Sequence, residues 1–120
     1  MAVRMQSLFA QYEAERAGNQ TLETEEGFAT WRYLDTETVY IVDLYVVPER
    51  RREGVATRLA DRICAEALAT GRTRLFGTID PNAHGAHESL LGLLAYGMRL
   101  SHSDGPLLVL TKSLIPEGGV

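Results

Sequence analysis

Three consecutive arginines, Arg50, Arg51 and Arg52, sit in the stretch VVPERRREGVATRLA at residues 46–60, followed by Gly54 and Ala56. An apolar run ends at Val47, Pro48 stops its ladder, and a helical pattern begins after Gly54. A loop entering a helix in this way presents unpaired backbone N–H groups and the positive end of the helix dipole. Gly54 and Ala56 are small enough to let an anion reach those groups. Arginine adds long-range attraction and forked hydrogen bonds to phosphate oxygens. The chemistry written here is pyrophosphate binding, although a solvated turn leading into a capped helix has the same features. The spacing is neither a Walker loop, which needs Gly-Lys-Ser/Thr, nor a dinucleotide Gly-x-Gly-x-x-Gly.

Other reactive residues narrow the choice. His84 and His87 in HGAH lack the glutamate of a His-Glu-x-x-His zinc site, so no metal is expected, and they read as solvated residues at a helix start, with a proton relay by one of them as the alternative. Ser89 is not in a Gly-x-Ser-x-Gly elbow, which argues against a serine hydrolase. Cys64 is the only cysteine and falls on an apolar helical stripe, so it reads as packed core in a reducing compartment. The net charge of -4 argues against a general nucleic-acid binder. Charges interrupt every apolar run near the start, and no segment approaches membrane-spanning length, so the chain is expected to be cytoplasmic, with no membrane partner.

The elements that must position the loop follow from periodicity. Met5, Leu8, Phe9 and Tyr12 share one helical face, expected to pack, and Gly18 and Asn19 end that helix. TLETEE, GFATWRYL and TVYIVDLYVV read as three strands of an antiparallel meander. A helix runs from Gly54 to Thr70 with Ala56, Ala60, Ile63, Cys64 and Ala67 as its apolar stripe. RLFGTI is a strand and HGAHESLLGLLAYG a helix, and MRLSH and LLVLTK are strands around the turn SDGP. At 120 residues and 45% hydrophobic content the whole chain, 1–120, is expected to form one domain. The expected class is α/β (α+β), with a mixed, mostly antiparallel central sheet and flanking helices in the order α-β-β-β-α-β-α-β-β.

VVPERRREGVATRL resembles the acyl-CoA loop of the GNAT superfamily of N-acetyltransferases, in which Arg or Gln is followed by two residues, Gly, one residue, and Gly or Ala. Arg51, Gly54 and Ala56 fill those places. IVDLYVVP resembles the strand before that loop, and TIDPNAHGAHESLLGLLAYGM resembles the later strand, asparagine and helix that end in Gly-Phe, here Gly97-Met98. The resemblance extends from about Gly27 to Lys112 and implies a short member without the family's first strand and first helix.

The resemblance implies that two strands splay apart around a pantetheine arm. The backbone from Leu44 to Val47 would contact that arm and the acyl carbonyl. The amides of Arg51, Arg52, Glu53, Gly54, Val55 and Ala56 would take the pyrophosphate, and Asn82 would bond the arm. Asn82 also reads as a turn residue after Asp80-Pro81. Arg50, Arg52 and Arg58 are candidates for the remaining phosphates. The implied reaction is attack by a neutral amine on the thioester of acetyl-CoA, with an amide at Val46 or Val47 holding the oxyanion. The family's usual base positions match Tyr40 and Val42, which leaves Tyr40 as the candidate on that strand. Strand alternation places Asp43 on the opposite face and gives it a structural role. The family's tyrosine acid position is Leu93 here, and Tyr96, three residues further along the helix, points elsewhere. Trp31 and Tyr33 read as sheet packing rather than an acceptor pocket. The reading is an acetyl-CoA-dependent N-acetyltransferase for a primary amine. The missing acid and base leave a non-catalytic acyl-CoA-binding or protein-interaction module as the alternative. A homodimer is expected, because the missing first strand would leave a sheet edge to be covered.

Overall fold

The computed structural model describes residues 7–115. The chain folds as α1 (Leu8–Ala17), β1 (Gln20–Glu23), β2 (Gly27–Tyr33), β3 (Thr38–Val46), a 3-10 turn (Pro48–Arg50), α2 (Val55–Ala69), β4 (Arg74–Ile79), α3 (Ala86–Ala95), β5 (Arg99–Asp104) and β6 (Leu107–Ser113). This is the expected order. The six strands form one sheet in the order β1-β2-β3-β4-β6-β5. Every neighbouring pair is antiparallel except β3 and β4, which α2 connects in parallel.

One face of the sheet carries the core. Ala29, Trp31, Val39, Ile41, Val46, Leu75 and Ile79 pack against Val55, Leu59, Ile63, Cys64 and Ala67 of α2, with Leu90 and Leu93 of α3 beside them. The buried stripe of α2 therefore starts with Val55 and Leu59, and Ala56, expected in it, is exposed at the helix start. Trp31 and Tyr33 belong to this core side.

α1 lies against the other face, over β1 and β2. Ser7 caps its start by accepting the Ala10 amide at 2.9 Å, and Gly18 ends it at φ 69°. The Phe9 ring meets Phe28 edge-on at 5.0 Å, and Arg32 donates to the Ala17 carbonyl at 3.4 Å. The apolar face expected to pack does so only through Phe9. Leu8 is 83% and Tyr12 58% exposed, and Ala10 is the one buried residue of this helix. Met5 lies outside the described residues. Beyond α1, this face of the sheet has no covering helix among the described residues.

Candidate functional site

The strand-to-helix loop is built by unusual backbone conformations. After the 3-10 turn, Arg52 adopts φ 65° and Gly54 φ 82°, so two left-handed residues flank Glu53 and turn the chain into α2. Gly54 is the N-cap and offers no side chain to the helix start. Among the described residues, the amides of Arg52, Glu53, Gly54, Val55, Ala56 and Thr57 donate to no protein group. Six N–H donors thus gather at the positive end of a 15-residue helix.

The arginines around them have different partners. Arg50 pairs with Glu26 at 2.6 Å and with Glu53 at 3.4 Å, and Arg58 lies 3.8 Å from Glu26. Arg51 points back to the strand, donating through Nε to the Val46 carbonyl at 2.9 Å with its guanidinium 5.5 Å from the Tyr45 ring centre. Arg52 forms no ion pair among the described residues.

β3 and β4 pair at only three positions, Thr38–Arg74, Val39–Leu75 and Tyr40–Phe76, and then part. The gap opens toward the arginine loop, because β3 runs on to Val46 and the loop follows it directly. The antiparallel ladder with β2 fixes which backbone groups face the gap. The Val47 amide donates to the Glu26 carbonyl at 2.9 Å, so that pair is bonded and the next one, Val46–Gly27, is not. By the same alternation the N–H and C=O groups of Val46 and Leu44 turn away from β2, toward β4. Val47 is therefore corrected as an oxyanion donor, since its hydrogen is already committed to the Glu26 carbonyl just before β2. Gly27 makes this close approach possible. A Cβ there would stand 2.1 Å from the Tyr45 carbonyl oxygen and 3.0 Å from the Val46 Cα.

A bulge changes the chemistry of the other face. Thr30 pairs with Asp43 but Trp31 pairs with Ile41, so Val42 is an extra residue in β3. Alternation resets there, and Asp43 joins Tyr40 and Tyr45 on the face opposite α2. The placement of Asp43 away from Tyr40 is thus corrected. Asp43 is exposed and accepts from the Thr30 hydroxyl at 3.4 Å. The Tyr40 hydroxyl lies 2.9 Å from Thr78 Oγ1 across the gap, its ring meets Phe76 edge-on at 5.5 Å, and the Arg32 guanidinium lies 5.4 Å from its centre.

On the helical face, Gly77 has Leu93 and Met98 against it, at 3.5 Å and 3.4 Å from where its Cβ would stand. Tyr96 points away from the gap. Its hydroxyl donates to Asp61 Oδ1 at 2.6 Å and lies 3.5 Å from Cys64 Sγ, while Lys112 Nζ donates to its carbonyl at 2.9 Å. Burial and the bond to Asp61 push the Tyr96 hydroxyl well above the usual tyrosine range. Burial also raises the Cys64 thiol, which keeps it protonated and unreactive. Asn82 is exposed. Its amide donates to Asp80 Oδ1 at 3.0 Å, and its side chain has no partner among the described residues. His84 and His87 are exposed, and no cluster of three metal-binding side chains occurs among the described residues.

Residues 8–93 match the Acetyltransferase (GNAT) family, and the chain belongs to that family. A search of curated proteins finds no match. Among solved structures, the fold is similar to Ard1 from Thermoplasma volcanium, with a TM-score of 0.62 and 13% identity over 76% of this chain and 64% of that one. It is similar to the paia N-acetyltransferase of Thermoplasma acidophilum in complex with coenzyme A, with a TM-score of 0.65 and 14% identity over 73% of this chain and 53% of that one. A GNAT acetyltransferase from Elizabethkingia anophelis with acetyl-CoA bound gives a TM-score of 0.66 and 15% identity over 88% and 81% of the two chains. The chain spans less than two thirds of the first two proteins. No described helix is long and apolar enough to cross a membrane.

Proposed function

We propose that the protein transfers an acetyl group from acetyl-CoA to a primary amine. One observation carries this reading: the gap between β3 and β4 opens at the loop where six amides have no acceptor in the protein. The donor fits these residues. Its pyrophosphate suits the amides of residues 52–57, with Arg52 free to join them and Arg50 and Arg58 held nearby by Glu26. Its pantetheine arm suits the stretch of β3 beyond Tyr40 that pairs with no strand on the β4 side, which would receive it as a further strand. Bound acetyl-CoA supplies a thioester, whose carbonyl is the electrophile.

The chain's own groups do the rest. Val46 lies nearer the loop and would engage the arm. Leu44, two residues deeper, would direct its N–H at the acyl carbonyl and stabilise charge developing on that oxygen. Asp43, on the open face beside the gap, would draw a protonated amine toward the carbonyl and take its proton directly or through water. Leu93 offers no proton, so the sulfur would leave as thiolate, with a free thiol near pKa 8.5 as the reference. Asn82 is free to meet the arm from the α3 side.

Gly54→Asp tests the donor site, because it places a carboxylate among the free amides. Saturating acetyl-CoA at about 100 Kd should stabilise the wild type by about 2.7 kcal/mol and leave the folded variant unshifted. Equal shifts would remove the loop from the site. Thiol release with a panel of amines then tests turnover. Binding without release would favour the non-catalytic acyl-CoA module, which the apolar side chain of Leu93 also suits.

A further inference from the structure

The narrow end of the β3–β4 gap is closed on three sides. In the plane of the sheet, the backbone ladder resumes at Tyr40–Phe76. On the open face, the Tyr40 hydroxyl bonds Thr78 Oγ1 at 2.9 Å, spanning the gap from one strand to the other, with Phe76 packed against the ring. On the helical face, Leu93 and Met98 press onto Gly77, and Met98 is 1% exposed.

Resting on the acetyl-CoA reading above, we propose that this closed end is a stop that sets acyl-chain length, with Tyr40 and Thr78 as the residues that determine donor specificity. Thr78 stands two residues beyond the last paired position on β4, so the Tyr40 bridge closes about 6.6 Å of the gap. On β3, Leu44 lies four residues beyond Tyr40, but the bulge at Val42 reduces this to three ladder steps, or about 10 Å. About 3 Å then remains between the bridge and the amide that faces the acyl carbonyl, the length of about two carbon–carbon bonds of 1.5 Å. An acetyl group fits this space. A hexanoyl chain runs into the Tyr40 ring, the Thr78 side chain and the packed wall of Leu93 and Met98. Leucine at position 93 acquires a purpose here as apolar wall. The bridge joins two side chains, so substitution can open it without breaking a strand.

Calorimetric titration with CoA, acetyl-CoA and hexanoyl-CoA tests the stop, with unacylated CoA as the reference for each variant. The wild type should bind hexanoyl-CoA at least about tenfold more weakly than acetyl-CoA, the scale of an overpacked site. In Thr78→Ala and in Tyr40→Ala this ratio should fall to within about threefold. Equal binding of both donors by the wild type overturns the stop, and that measurement needs no variant to fold. An unchanged ratio in a folded Thr78→Ala or Tyr40→Ala protein also overturns it. Failure of the wild type to bind CoA at all removes the donor reading itself, and the stop with it.

Discussion

Gly27→Ala should be the most damaging small substitution in the sheet. The new methyl carbon would stand 2.1 Å from the Tyr45 carbonyl oxygen and 3.0 Å from the Val46 Cα. A carbon and a carbonyl oxygen approach to about 3.3 Å, so β2 and β3 must separate locally by about 1.2 Å. Both obstructing atoms are backbone, so no rotamer change relieves the clash. Overpacking of this kind costs about 3 kcal/mol at its upper range. Separation also stretches the Val47–Glu26 hydrogen bond, now 2.9 Å, whose loss adds about 1 kcal/mol. For 120 residues the unfolding entropy at the midpoint is about 0.25 kcal/mol/K. A cost of about 4 kcal/mol therefore lowers Tm by about 16 °C. Gly92→Ala is the control, since a Cβ there meets nothing within 4 Å and α3 gains a better helix former. That change should raise Tm by about 3 °C. Circular-dichroism melts with and without acetyl-CoA would show both effects, and the Gly27 variant should also lose most of the donor-induced shift, because Val46 moves. A Tm drop under about 4 °C with that shift intact would refute the close-approach reasoning.

Asp43→Asn should lower kcat/KM by about a hundredfold or more at pH 7.5 while the thermal shift with acetyl-CoA stays at its wild-type size. Loss of donor binding instead would assign Asp43 a structural role. Tyr96 gives a pH prediction. Its hydroxyl is raised by burial and by the bond to Asp61, above the ordinary value of 10.0. The unfolded chain thus loses this proton first, so the contribution is full below about pH 10 and declines as pH rises beyond it. Denaturant midpoints between pH 8 and 11 should fall less steeply in Tyr96→Phe than in the wild type, and parallel curves would contradict the assignment.

Element order and the strand-to-helix turn at Gly54 were legible because both rest on local signals. Gly54 and Ala56 mark small positions at a helix start, and β-branched runs mark strands. Leu8 and Tyr12 misled because periodicity identifies a helix face without showing whether anything covers it, and of that face only Phe9 meets the sheet. Asp43 was misplaced because alternation assumes an unbroken ladder. The bulge at Val42 exists only through pairing with β2, and Val42 itself carries no glycine or proline to announce it. The Val47 amide belongs to the same class, since its direction follows from the register against Gly27. An acidic residue inside the apolar stretch TVYIVDLYVV was the available signal for Asp43, and it says nothing about which way the side chain faces.

The three-position pairing of β3 with β4 also bears on how the molecule opens. The sheet consists of two antiparallel halves, β1-β2-β3 and β4-β6-β5, joined in its plane by one short ladder, across one face by the Tyr40–Thr78 bridge, and on the other by the shared core under α2. Few backbone bonds must break to part the sheet at this seam, so its amides are expected to exchange earlier than those of the fully paired strands. A donor bound in the gap as proposed would supply the missing rungs and close the seam along its length. Amide hydrogen exchange along Leu44–Val46 and Gly77–Ile79 should therefore slow on donor binding far more than exchange in β5 and β6. On the proposed function, the donor would complete the cooperative unit of the fold, and its release would return the seam to its three-rung state.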